Sequence, residues 1–169
     1  MKAKLIIEGK EIEIEISEEE YKKIQPPKEK KTGYERIPDP NGYFYVNAKG
    51  EVEYGVDLYD YIDDKYYNSA NYYSSKEVAE NNARADKLVR QLRRFAVEHR
   101  ECGVNFNNTN TEKHYIYYDY KNDELGVSFV RRTRDFGVIY FDLGETANAA
   151  IDEFRDELIW YFTEYKEGL

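Results

Sequence analysis

A nucleophile with its base, or a zinc site, would have to be assembled from His99, Cys102 and His114, and their spacing supports neither. Cys102 is the single cysteine, so the chain forms no internal disulfide. A structural zinc takes four ligands at short intervals, which two histidines and one cysteine do not supply. His99 falls on the apolar seam of a long helix, the setting of a histidine satisfied within a core. His114 opens a strand among Tyr115, Tyr117 and Tyr118, with no neighbour in sequence to orient it as a general base. Neither G-x-x-x-x-G-K-S/T nor G-x-G-x-x-G occurs, so no phosphate loop is expected. The many carboxylates stand in charge runs, where proximity needs no catalytic explanation. The expectation is a protein that is not an enzyme and has neither metal nor cofactor.

Binding chemistry is better represented, in two segments of opposite charge. From Arg84 to Arg100 six bases face only Asp86 and Glu98, a local charge of +4 in a chain of −9. Arg84, Lys87, Gln91 and Arg94 share one helical face, with Arg90, Arg93 and Arg100 flanking it. Arginine prevails over lysine, which suits bidentate contacts to phosphate or carboxylate. Arg84, Lys87, Arg90, Arg93 and Arg94 are therefore the candidate nucleic-acid contacts, and Arg131, Arg132 and Arg134 could extend them. Two other readings stand beside this one: a solvated face that complements the helix dipole, or pairing with Asp152 to Glu157 of the same chain.

The opposite segment runs from Glu51 to Asp64, with six acids, no base and interleaved tyrosines. Asp57, Tyr59, Asp60, Tyr61, Asp63 and Asp64 are the candidate partner contacts. In that reading the aspartates substitute for phosphates and the tyrosines supply the apolar anchors. Neutralising the four aspartates is then expected to leave stability nearly unchanged. The alternative is a solvated loop.

The element that must position the basic face is one long helix over Ser74 to Cys102. Val78, Ala85, Leu92 and His99 recur every seven residues, with Leu88, Phe95 and Cys102 between them, an apolar seam at helical period. Ser74 with Glu77 reads as a capping box and Gly103 as the stop. Before it come a hairpin of Lys4 to Lys10 and Glu11 to Ile16 turned at Gly9-Lys10, and a short helix over Glu18 to Ile24 behind a Ser17–Glu20 capping box. The Pro-rich, charged run QPPKEKKTG follows as a linker. Strands are expected at Tyr34 to Ile37, Tyr43 to Asn47 and Glu51 to Tyr54, with a short one at Asn71 to Tyr73. Beyond the long helix lie strands at Lys113 to Tyr120, Leu125 to Thr133 and Phe136 to Phe141. A closing helix spans Glu145 to Tyr165.

Tyr72-Tyr73-Ser74 ahead of Glu77 and Ala79 matches Tyr140-Phe141-Asp142 ahead of Glu145 and Ala147, with Ser74 and Asp142 in the helix-cap position, which predicts two copies of a β-hairpin–strand–helix unit. The expected fold is α+β, with helices packed on a mainly antiparallel sheet. The expected division is a ββα unit over 1–25, a linker over 26–33 and a main body over 34–169 with halves 34–102 and 103–169.

Composition narrows the class. With 35% charged and 41% apolar residues among 169, the chain reads as soluble and globular. No apolar run has the length of a membrane span, and MKAKLIIEGK has no signal-peptide core. A lone cysteine suits a reducing cytoplasm. The chain holds 18 tyrosines; that excess fits a contact surface or half-exposed sheet faces.

The run GYERI, YFYVN, GEVEYG and NSANYYSSKEVAENNARADKLVRQLRRFAVEH, followed by FGVIYF and DELIWYFTEY, resembles small accessory proteins of Firmicutes phages and prophages. The similarity covers roughly residues 33 to 165, leaving the N-terminal hairpin outside it. Small acidic proteins in that setting include type II anti-CRISPR inhibitors of Cas9. The resemblance thus implies a phage-encoded binding protein in the cytoplasm of a bacterial host, acting as a monomer or homodimer. Its implied partner is a host defence nuclease, Cas9 or its guide complex. The alternative is a DNA-binding accessory protein using the basic helix face, and a third reading is a structural or regulatory phage protein with no defence role.

Overall fold

The computed structural model describes residues 2–7, 10–15, 17, 31–37 and 42–168. The chain divides into two units, Met1–Lys31 and Thr32–Leu169. In the first, β1 (Lys2–Ile7) pairs antiparallel with β2 (Lys10–Glu15). Ile7 pairs with Lys10, so Lys10 belongs to the ladder and not to the turn expected at Gly9-Lys10. That register sets Leu5 opposite Ile12 and Ala3 opposite Ile14, pairing apolar positions across the strands. The short helix expected at Glu18 to Ile24, and most of the linker, lie outside the described residues.

Among the described residues the second unit holds two hairpins and three helices, an α+β fold. Hairpin β3 (Gly42–Val46) and β4 (Val52–Val56) leads to α1 (Tyr61–Asn68) and then α2 (Lys76–Glu98). Hairpin β5 (Lys113–Asp119) and β6 (Glu124–Val130) leads to α3 (Gly144–Thr163). Each hairpin gains one further bridge, Phe44 to Tyr73 in the first half and His114 to Phe141 in the second. Tyr73 and Lys76 recur 68 positions on as Phe141 and Gly144. In both halves the tyrosine before the bridge residue bonds a carboxylate, Tyr72 to Asp57 and Tyr140 to Asp135.

Several expected strands are shorter than the sequence suggests. Residues 34–37 form no ladder, because the Ile37 amide donates to the Tyr72 hydroxyl and not to a neighbouring strand. Asn71 to Tyr73 and Phe136 to Phe141 contribute one bridge residue each.

Helix α2 begins at Lys76 with Ser75 as N-cap; the Ser75 hydroxyl accepts from the Val78 amide at 3.4 Å. The Ser74–Glu77 box does not form, because the Ser74 hydroxyl donates to Glu35 Oε2 at 2.8 Å. The helix ends at Glu98, short of Gly103, since Asp142 Oδ2 captures the amides of Glu101, Cys102 and Gly103 at 2.8–3.0 Å. Occupied in this way, Asp142 does not cap α3, whose N-cap Leu143 makes no side-chain bond. His99 and Cys102 are exposed, beyond the buried part of the seam.

The rest of the seam packs as its period requires. Leu88, Leu92 and Phe95 of α2 meet Phe141 and the Ala147, Ala150, Ile151 and Leu158 face of α3, with Ile116 and Val127 of the second hairpin beneath. Burying each such large aliphatic side chain contributes about 1.5–3 kcal/mol. Val78 and Ala79 begin a second cluster with Tyr73, over Phe44, Val46 and Val52 of the first hairpin. Helix α2 thereby joins the two halves and fixes the outward direction of its arginines. Among the described residues no helix is long and apolar enough to cross a membrane.

Candidate binding surfaces

The acidic segment is turned inward. Asp57 is 0% exposed and receives the Arg36 guanidinium in a two-pronged pair, Nε to Oδ2 at 2.8 Å and Nη2 to Oδ1 at 3.0 Å. The Tyr72 hydroxyl at 3.0 Å and the Tyr59 amide at 2.9 Å complete its shell. Hydrogen bonds from Arg36 foremost pull the Asp57 carboxyl down to about 2, against the opposing effect of burial. The Arg36 guanidinium is held charged by the same pair, and its Nη1 reaches Asp64 Oδ1 at 2.7 Å.

Asp63 is also buried, accepting from the Leu58 amide at 2.7 Å and from the Tyr43 hydroxyl at 2.9 Å. Asp60 caps α1: its Oδ1 accepts from the amides of Ile62 and Asp63, while Asp63 accepts from the Asp60 amide. Of the four aspartates expected to meet a partner, Asp57 and Asp63 are spent on the fold and Asp60 on a helix cap. Asp60 and Asp64 remain exposed, Asp64 paired with Arg36. The expectation that neutralising all four would barely shift stability is therefore overturned, because two of them are buried acceptors of several hydrogen bonds.

Beneath this segment lies a tyrosine layer. Tyr43 stacks on Tyr72 at 4.2 Å between centroids, and Tyr45 lies 4.3 Å from Tyr66. Burial pushes the Tyr72 hydroxyl up to about 12, so it remains a donor to Asp57. Part of the tyrosine excess is thus internal packing, and part faces out. Leu58 is 70% and Tyr61 71% exposed, and Tyr54, Tyr59 and Ile62 are exposed beside them in sequence. Tyr59 sits at φ 56, a left-handed conformation costly for an aromatic residue. Its amide is held by Asp57, and Arg36 lies 4.5 Å from its ring centre. The acids and Arg36 thereby fix a loop and the first turn of α1, which together display apolar side chains.

The basic face is divided. Arg84 forms a two-pronged pair with Glu157 of α3 at 2.8 and 3.1 Å and lies 3.9 Å from the Trp160 ring centre. Lys87 and Gln91 share the same cleft with Asp152, Glu153 and Asp156. The intramolecular reading therefore holds for Arg84. Arg94 is exposed beside Glu98 at 3.8 Å, and Arg90 is exposed. Arg93 turns the other way, into a groove with Arg134 and Phe136 from the loop between β6 and Phe141.

Arg36 and Phe136 were missed by sequence reasoning. The expectation that Arg134 extends the basic helix face agrees with its sharing a groove with Arg93. No family model, curated protein or solved structure matches the chain.

Proposed function

We propose that the chain is a non-catalytic binding protein that obstructs a host defence nuclease of the Cas9 type. The observation that carries this reading is the outward display of Leu58, Tyr59, Tyr61 and Ile62 by a segment whose acids hold it from within. Large apolar and aromatic side chains on a fixed loop supply the anchors of protein interfaces, where few residues dominate binding. Such a loop loses little entropy on docking. Around it Glu51, Glu53, Asp60 and Asp64 remain exposed, in a chain of net charge −9. That rim favours a basic partner face, such as the channel in which a nuclease holds nucleic acid. The phage resemblance supplies the choice of nuclease.

The mechanism so framed is occlusion, with no bond made or broken. Apolar anchors give residence time, while the acids steer the encounter and keep the loop rigid. Co-elution with purified Cas9–guide complex tests the reading. One equivalent of the chain is expected to co-elute in the absence of DNA and to be displaced when target DNA fills the channel. Separate elution at micromolar concentrations of both would dismiss it.

A further inference from the structure

Both halves carry exposed aromatic residues in the segment between hairpin and bridge residue. In the first half the segment between hairpin and bridge residue carries Leu58 to Ile62; in the second it is the loop 131–139. Both ends of that second loop are fixed. The buried Lys113 ammonium donates to the carbonyls of Arg131 at 2.9 Å and Thr111 at 2.8 Å. At the far end the Asp135 amide donates to the Tyr140 hydroxyl at 2.9 Å, and that hydroxyl donates to Asp135 Oδ2 at 3.3 Å. Asp135 is thus engaged with Tyr140, and neither Arg93 nor Arg134 has a salt-bridge partner among the described residues. Phe136, at 106% exposure, packs its ring against almost nothing.

Arg93 and Arg134 flank the groove beside Phe136, and Val97, Val104 and Phe106 extend its floor. Arg131 lies 5.2 Å from the ring centre of the exposed Phe129, and Arg132 is exposed between the two aromatics. Phe129, Arg131, Arg132, Arg134 and Phe136 thus interleave rings and cations within eight residues.

We propose that this groove binds single-stranded nucleic acid, stacking a base on Phe136 with Arg93 and Arg134 on the flanking phosphates. Aromatic platforms beside a cationic track are how unpaired strands are held without sequence preference. A duplex keeps its base faces stacked and so offers nothing to Phe136. An acidic peptide would satisfy the arginines and leave the exposed ring without a planar partner. The site lies in the other half from the Leu58–Ile62 face and stands or falls independently of it.

The test is fluorescence anisotropy of a labelled oligo-dT of about fifteen nucleotides against the full chain. Binding is expected at low salt, weakening steeply toward physiological salt as phosphate counterions are released. Joint R93E and R134E substitution is expected to weaken it at least tenfold. F136A should weaken it about fivefold or more with the salt slope retained. Because Phe136 is fully exposed, F136A should melt like wild type, which separates lost stacking from lost fold. L58A with Y61A should bind the oligonucleotide unchanged. The proposal is overturned if wild type shows no binding at low salt, or if F136A binds as wild type does. It is equally overturned if polyglutamate or duplex competes as well as the single strand.

Discussion

Arg36 and Asp57, 21 positions apart, meet in a two-pronged ion pair in which the carboxylate is wholly buried and the guanidinium partly so. That pair, and not surface charge, accounts for Asp57. It ties the extended segment before β3 to the turn after β4, and it supports the strained Tyr59.

Asp57→Asn is therefore expected to be costly. Breaking a buried pair from one side strands the other charge, at about 3–5 kcal/mol. Asp64→Asn, removing an exposed partner of the same arginine, should cost about 1 kcal/mol or less. Urea unfolding of the two variants checks this; equal midpoints would remove the structural role given to Asp57.

Acid should unfold the protein in a definable window. The Asp57 carboxyl is held at about 2 in the folded chain, below its unfolded value near 4. Glu35 behaves alike, drawn to about 2 chiefly by the Thr32 amide and then by the Ser74 hydroxyl. A depressed folded pKa gives stability that is complete above about pH 4 and is lost as pH falls toward about 2. Melting temperature measured across that range should fall steeply for wild type and less steeply for Asp57→Asn. A flat profile would contradict the assignment.

Phe95→Ala should cost about 3–5 kcal/mol, the usual range for deleting a buried aromatic side chain. Phe95 packs edge-on against Phe154 of α3 at 5.7 Å between centroids, so the loss would loosen the α2–α3 contact. Calorimetry on the variant is the check, and unchanged melting would refute the seam.

How much of this was readable in the chain depends on the range of the interactions. The α2 seam declares itself because Val78, Ala85, Leu88, Leu92 and Phe95 keep a helical period over five turns and are all buried. Helix α1 is masked by its composition: Tyr61-Ile62-Asp63-Asp64 reads as a charge run. Its start is specified by Asp60 and Asp63 acting as a capping box, a local signal with aspartate in place of the usual glutamate. Asp142 was assigned to the wrong job for the opposite reason. It stands where a cap belongs, yet three amides from the end of α2 arrive through tertiary structure and claim it. Burial opposes its ionised form, but those amides hold its carboxyl below the ordinary value. Arg93 and Arg134 are 41 positions apart, and they reach one groove through tertiary packing, α2 lying on α3 and α3 on the second hairpin.

The claim that Leu58, Tyr59, Tyr61 and Ile62 form the contact face, with the aspartates as their support, is tested most directly by target cleavage. Cas9–guide complex would be incubated with wild type or with the L58A, Y61A double variant, and cut DNA quantified. Both substituted side chains are largely exposed, so the variant should melt within about 1 kcal/mol of wild type. Wild type in molar excess is expected to block cleavage, and the variant to need at least about thirtyfold more, as loss of a central anchor costs 2 kcal/mol or more. Cleavage untouched by wild type, or blocked equally by the double variant, would contradict the account.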